Sequence, residues 1–268
     1  MTNLEGSRVF GEKWKPLDLI DLNAYIGLLI LAGVYRSKGE ATASLWSTEC
    51  GRPIFRSTMS QERFHIISRV IRFDDRETRP SRRERDKLVA IRDGWDKWGE
   101  ILPRLYNPGP HITVDERLVP FRGRCPFRQY IPKMPARYGI KVWAACDSKS
   151  SYAWKMQIYT GKPSGGEPER NQGMRVVLQM SEGLQGHCIT CDNFFTSYNF
   201  GVELLKRKLT LIGTVKKKKP ELPREILNME GRNVHSLKFA LSENATYNAQ
   251  RCITECKRGP EARNDTEL

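Results

Sequence analysis

Apolar residues fall three and four positions apart through the first hundred residues and at alternate positions after residue 110, so the chain changes period once. The stretch DLIDLNAYIGLLILAGVYRSKG predicts a helix with Asp21 as N-cap and Gly39 as its stop. STMSQERFHIISRVIRFDD predicts another, capped by Ser60, with Phe64, Ile67 and Ile71 at helical spacing. DKLVAIRDGWDKWGEILPRLYNPG sets Ile91, Trp95, Trp98, Leu102 and Leu105 on one stripe, which reads as core and ends at Asn107-Pro108-Gly109. The charged run RFDDRETRPSRRERDK before it is expected to be an exposed loop or helix end.

From residue 110 the pattern predicts strands at 111–119, 140–147 and 152–161, the last two joined by the turn-like SKSS. A helix around 173–184, a strand at 187–192, a helix from Ser197 to Lys208 and a strand at 210–215 follow. After KKKKPELP (216–223) the periodicity fades.

Three strands, a helix, a strand, a helix and a strand is the order of the RNase H-like fold. The expectation is therefore an α/β protein: an RNase H-like mixed sheet flanked by helices, preceded by an α-helical domain. In that fold an acid on the first strand lies beside one at the end of the fourth. HITVDERLVPFRGR places Asp115 mid-strand, and HCITCDNFF ends its strand at Asp192. Either aspartate alone reads as a strand terminator or turn former. Two carboxylates side by side repel unless cations neutralise them, and hard oxygen donors suit Mg²⁺ or Mn²⁺ in a two-metal arrangement. Asp115 and Asp192 are thus the candidate metal-binding and catalytic residues.

Composition points the same way. Lys and Arg number 45 against 31 Asp and Glu, a formal net charge of +14, which argues for a polyanionic partner such as nucleic acid. Residues 122–141 carry Arg122, Arg124, Arg128, Lys133, Arg137 and Lys141 interleaved with Phe127, Tyr130 and Tyr138. Following directly on the Asp115 strand, they are expected to contact DNA phosphates, which positions a duplex without reading its sequence. The run that begins Lys216, Lys217 is a second candidate phosphate patch.

The seven cysteines suggest reduced thiols. Cys188 and Cys191 point to opposite faces of a strand, which disfavours a shared metal and favours structural roles; Cys252 and Cys256, the other pair at zinc-like spacing, read the same way. Asp147, in CDSKSS, reads as a turn residue. The opening MTNLEGSRVFGEKWK has no secretory pattern, and AYIGLLILAGVY is too short to span a bilayer, so neither a membrane role nor a small-molecule substrate is expected.

The stretches WSTECGRPIFRSTMSQERF, RFDDRETRPSRRERDKLVAIRDGWDKW, TVDERLVPFRGRCPFRQYIPKMPARYGIKVWAACDSKSSY, CDNFFTS and GTVKKKKPELP resemble the DDD transposases of the piggyBac family, over roughly residues 13–223. The resemblance implies descent from a nuclear cut-and-paste transposase acting on double-stranded DNA at TTAA sites. It assigns residues 1–107 to a helical dimerisation and DNA-binding domain, 108–217 to the transposase core and 218–268 to the start of an insertion domain with a non-matching tail. Asp115 and Asp192 match the first two catalytic aspartates, and no segment here matches the third. The resemblance therefore implies an incomplete metal site, an enzyme lineage without activity in these residues, and a homodimer. A non-catalytic DNA-binding or dimerisation protein, or an inert fragment, are the alternatives.

Overall fold

The structure, a computed structural model, describes residues 1–161, 169–228 and 230–250. Cys252 and Cys256 lie outside the described residues. The chain divides into two compact units, residues 1–101 with 124–127, and residues 102–123 with 128–268.

The first unit holds α1 (Thr2–Phe10), α2 (Leu19–Val34), α3 (Thr42–Trp46), α4 (Pro53–Thr58), α5 (Gln61–Val70), α6 (Arg79–Arg83) and most of α7 (Arg92–Leu105). Its core gathers Tyr25, Leu28, Leu45, Trp46, Phe55, Met59 and Ile67. Trp46 donates its indole N–H to the Met59 carbonyl at 2.7 Å, so its polar edge is satisfied while the ring packs on Phe55 and Phe64. Ser60 caps α5 as expected, accepting from the Arg63 N–H.

Elsewhere the helices depart from expectation. Asp18 rather than Asp21 caps α2, because the helix starts one turn earlier; Asp18 accepts from the Asp21 N–H, and Asp21 instead pairs with Arg63 at 2.5 Å. The same helix stops at Val34, short of Gly39. The charged run after α5 is mostly exposed and includes the short helix α6, as expected, but it also carries a buried ion pair. Asp74, 6% exposed, takes Arg79 and Arg82, while Glu5, 5% exposed, faces Arg72 and Arg76. Carboxylates that far from water must be paired, and a regular apolar period gives no sign of it. The α7 stripe also differs from the core reading: Leu102 is buried, but Trp98 is 45% and Leu105 73% exposed.

The second unit is built on a six-stranded sheet. Its strands are β1 (His111–Pro120), β2 (Gln129–Tyr130), β3 (Tyr138–Asp147), β4 (Ala153–Ile158), β5 (Cys188–Cys191) and β6 (Thr210–Gly213). The order is β2-β3-β1-β5-β6, with β4 sharing the outer edge of β3. The pairs β1–β3, β2–β3 and β3–β4 are antiparallel, whereas β1–β5 and β5–β6 are parallel. The two parallel pairings follow from the crossovers: α8 (Gln172–Met180) lies between β4 and β5, and α9 (Tyr198–Lys206) between β5 and β6. This is the RNase H-like arrangement. Beyond it lie α10 (Arg224–Leu227) and a separate hairpin of β7 (Leu237–Leu241) and β8 (Thr246–Gln250), which the fading periodicity did not announce.

The core sits on one face of this sheet. Ile112 and Val114 of β1, Trp143 and Ala145 of β3, and Ile189 and Cys191 of β5 pack with Val176, Val177 and Met180 of α8 and with Phe200 and Leu204 of α9. Eight of these residues are fully excluded from water, each worth roughly 1.5–3 kcal/mol in transfer terms for the larger side chains.

Candidate cation site and basic surface

Alternation along β1 sends Ile112 and Val114 into the core and Asp115 to the opposite, solvent-facing side. In the parallel pairing of β1 with β5, Ile112 stands beside Ile189 and Val114 beside Cys191. Asp115 and Asp192 each come one residue after that last pair. Asp115 continues β1, while Asp192 opens the turn that follows β5. Both are exposed.

The chain beyond β5 turns at once. The Asp192 Oδ1 accepts from the Phe194 N–H at 2.8 Å, and its carbonyl accepts from the Phe195 N–H, the Thr196 N–H and the Thr196 hydroxyl. Ser197 then caps α9 by accepting from the Phe200 N–H. Two glycines let neighbours close on this turn. A Cβ at Gly213 would lie 2.3 Å from Thr196 Oγ1 and 2.7 Å from the Cys191 carbonyl oxygen. A Cβ at Gly173, the start of α8, would lie 3.0 Å from the Phe194 carbonyl oxygen.

Asp115 Oδ1 accepts from the Glu116 N–H at 2.7 Å. Each aspartate therefore uses one oxygen locally and keeps the other free of protein partners among the described residues. The charges of both aspartates reach the same neighbours. Burial, opposed by the Lys141 ammonium and reinforced by Asp115 and Asp192, holds the Glu116 carboxyl above its ordinary value. Burial, then Asp192 and Asp115, pushes the Cys191 thiol up to about 12. Two unit charges 4 Å apart repel by about 1 kcal/mol in water and about 4 kcal/mol near a protein surface. A divalent cation would remove that repulsion.

The donor set fits Mg²⁺ or Mn²⁺ in chemistry but not in number. Two hard carboxylate oxygens suit an ion that keeps several waters, yet among the described residues no group of three or more His, Cys, Asp or Glu gathers to hold a metal. Cys188 and Cys191 alternate out of and into the core, with no shared position for an ion. Asp147 accepts from the N–H groups of Gly109, Lys149 and Ser150 and from the Ser150 hydroxyl, a turn carboxylate held down to about 2, by the Ser150 backbone first.

Of the basic residues singled out in the sequence, Arg122, Arg128, Lys133, Arg137, Lys216 and Lys217 are exposed in the second unit. Arg124 is exposed too but belongs with the first unit. Arg122, Arg128, Arg137 and Tyr138 line a surface recess of about 520 Å³ together with Pro135 and Ala136. Arg128 anchors its loop by donating to the carbonyls of Arg122 and Gly123 and lies over the Tyr138 ring, which packs on Tyr130. Lys141 does not join this exposed group: its side chain is 16% exposed, on the core side of β3. Sequence reasoning passed over Arg117, exposed and two residues beyond Asp115 on the same side of β1. Strand alternation was the signal that could have found it.

Known proteins share this architecture. Residues 1–252 match a family model described as Transposase IS4, beyond the span of 13–223 that the motifs suggested. The human PiggyBac transposable element-derived protein 3 is 27% identical over 205 residues, 74% of this chain and 34% of that protein. The human chimeric ERCC6-PGBD3 protein is 27% identical over the same length and is covered to 19%. A piggyBac transposase solved by cryo-EM as a synaptic complex with hairpin DNA superimposes with a TM-score of 0.87 at 33% identity, covering 94% of this chain and 54% of that one. The chain thus spans about a third of the first curated relative and about half of the solved transposase.

Proposed function

The chain belongs to the Transposase IS4 family as a piggyBac transposase-derived protein, and from that premise we propose that it binds duplex DNA in the nucleus and holds one divalent cation between Asp115 and Asp192. The observation that supports this reading is the parallel register of β1 on β5, whose last pair, Val114 with Cys191, immediately precedes the two aspartates.

In this reading the residues divide the work. Arg122, Arg128, Lys133 and Arg137 contact phosphates, Lys216 and Lys217 extend the basic surface, and Arg117 beside Asp115 is placed to meet the backbone nearest the pair. The aspartates keep an outward-facing oxygen each for the ion. A bound Mg²⁺ or Mn²⁺ would polarise a phosphate oxygen and acidify a bound water. Among the described residues no group of three or more His, Cys, Asp or Glu gathers to hold a metal, and in this reading the chain binds DNA without cleaving it. A homodimer formed through the helical first unit is part of the same reading.

A nicking assay on TTAA-containing duplex with Mg²⁺ or Mn²⁺, run beside a binding assay, tests it. Binding without nicking is expected. Robust nicking that Asp115→Ala abolishes would overturn the non-cleaving assignment, and failure to bind duplex at low salt would overturn the whole reading.

A further inference from the structure

Beside the recess lined by Arg122, Arg128 and Arg137 stands an aromatic ladder that phosphate contacts leave unused. In the antiparallel pairing of β2 with β3, Tyr130 lies directly opposite Tyr138, with ring centroids 4.6 Å apart and planes tilted by 33°. The Arg128 guanidinium lies over the Tyr138 ring, 5.5 Å from its centroid, and donates to the Arg122 and Gly123 carbonyls at 3.0 and 3.2 Å. Three flat groups thus form one tilted stack whose base is tied to the loop backbone.

The loop that joins these strands is fixed as well. The Ile131 N–H donates to the Arg137 carbonyl at 2.8 Å and the Arg137 N–H to the Met134 carbonyl at 3.0 Å. Arg137 is held at φ 50°, a left-handed backbone that a residue other than glycine seldom takes. A cross-strand tyrosine pair steadies a hairpin, yet Tyr130 and Tyr138 remain 54% and 48% exposed, on and beside an edge strand and among arginines. Exposed aromatic rings interleaved with cations hold unpaired bases: the cations follow the phosphates, and each base lays its face on a ring. Bases inside a duplex are already stacked on both faces, so only an unpaired base or a helix end can meet such a ring.

We propose that the Arg128–Tyr138–Tyr130 stack is a subsite for an unpaired base, so that the recess receives a single-stranded extension of duplex DNA. Tyr130 is the ring the base stacks on, and Arg122 and Arg137 take the flanking phosphates. This rests on the DNA-binding reading above and is independent of the cation site.

The test is fluorescence anisotropy at several salt concentrations with three probes: a blunt duplex, the same duplex with a short thymine extension, and the same duplex with an abasic extension of equal phosphate count. The unaltered protein should bind the thymine-extended duplex about fivefold or more tighter than the abasic one. The salt slope should be the same for both, because they carry the same charge. Tyr130→Leu should remove the preference for bases, and Tyr130→Trp should keep it. A 2-aminopurine in the extension, whose fluorescence falls on stacking, reads the contact in the unaltered protein, which covers the case of Tyr130→Leu failing to fold. Equal affinity of the unaltered protein for thymine and abasic extensions, an unquenched 2-aminopurine, or a preference that survives Tyr130→Leu would each overturn the subsite while leaving duplex binding in place. Failure to bind any of the three probes at low salt would overturn the DNA-binding reading itself, and the subsite with it.

Discussion

Asp115 and Asp192 stand one residue past Val114 and Cys191, the last paired positions of two neighbouring parallel strands, and both are exposed. The apolar residues before them fix this relation. Ile112, Val114, Ile189 and Cys191 all pack in the core with α8 and α9, and alternation along β1 then turns Asp115 outward, while Asp192 opens the turn after β5.

The acids are therefore expected to be dispensable for folding. Asp192→Asn keeps an oxygen to accept from the Phe194 N–H, so its thermal midpoint should stay within a few degrees of the unaltered protein. A large loss of stability in a thermal melt would mean that the turn after β5 depends on the charge.

The basic surface makes a second prediction. Replacing Arg122 or Lys133 by glutamine should lower the slope of log affinity against log salt by about 0.9 for each phosphate left without its cation, with little change between DNA sequences. Arg128→Gln should do more, because Arg128 also ties its loop to the Arg122 and Gly123 carbonyls. Fluorescence anisotropy with two unrelated duplexes at several salt concentrations reads both effects.

Asp147 supplies a pH signature. Its carboxyl is held down to about 2 by N–H donors in the fold, the Ser150 backbone first, against about 3.9 in an unfolded chain. A carboxyl lowered by folding stabilises fully above the unfolded value and loses that contribution as pH falls through the folded one. The gap in melting temperature between the unaltered protein and Asp147→Asn should hold from about pH 8 to 5 and narrow between about pH 4 and 2. A gap independent of pH would show that the turn needs only a neutral acceptor.

The thiols should separate by burial. Cys191, buried and pushed up to about 12, is expected to resist alkylation at about pH 8 in the native state, whereas exposed Cys50 reacts. Mass spectrometry after timed alkylation distinguishes them. Modification of Cys191 as fast as Cys50 would mean that the β5 edge opens readily.

Much of this was legible in the order of residues because strands and helices of the second unit carry clean periods. The strands of the Asp115 and Asp192 runs, and the helix between them, lie within a few residues of their expected ranges. The features that were not legible have physical causes. The buried partners of Arg79 and Arg72 include an acid in a charged run that looks solvated until the fold pairs it. Lys141 sits among basic residues in sequence, yet strand alternation turns it away from them. The α7 stripe is helical in period, but periodicity states only which side is apolar, not whether anything covers Trp98 and Leu105.

The most direct test of the central claim is a Mn²⁺ titration of the unaltered protein, Asp115→Asn and Asp192→Asn, each confirmed as folded by circular dichroism. The account predicts one ion bound per chain, with affinity falling by more than about tenfold in either variant. Equal Mn²⁺ binding by all three proteins, or none by the unaltered one, would contradict it.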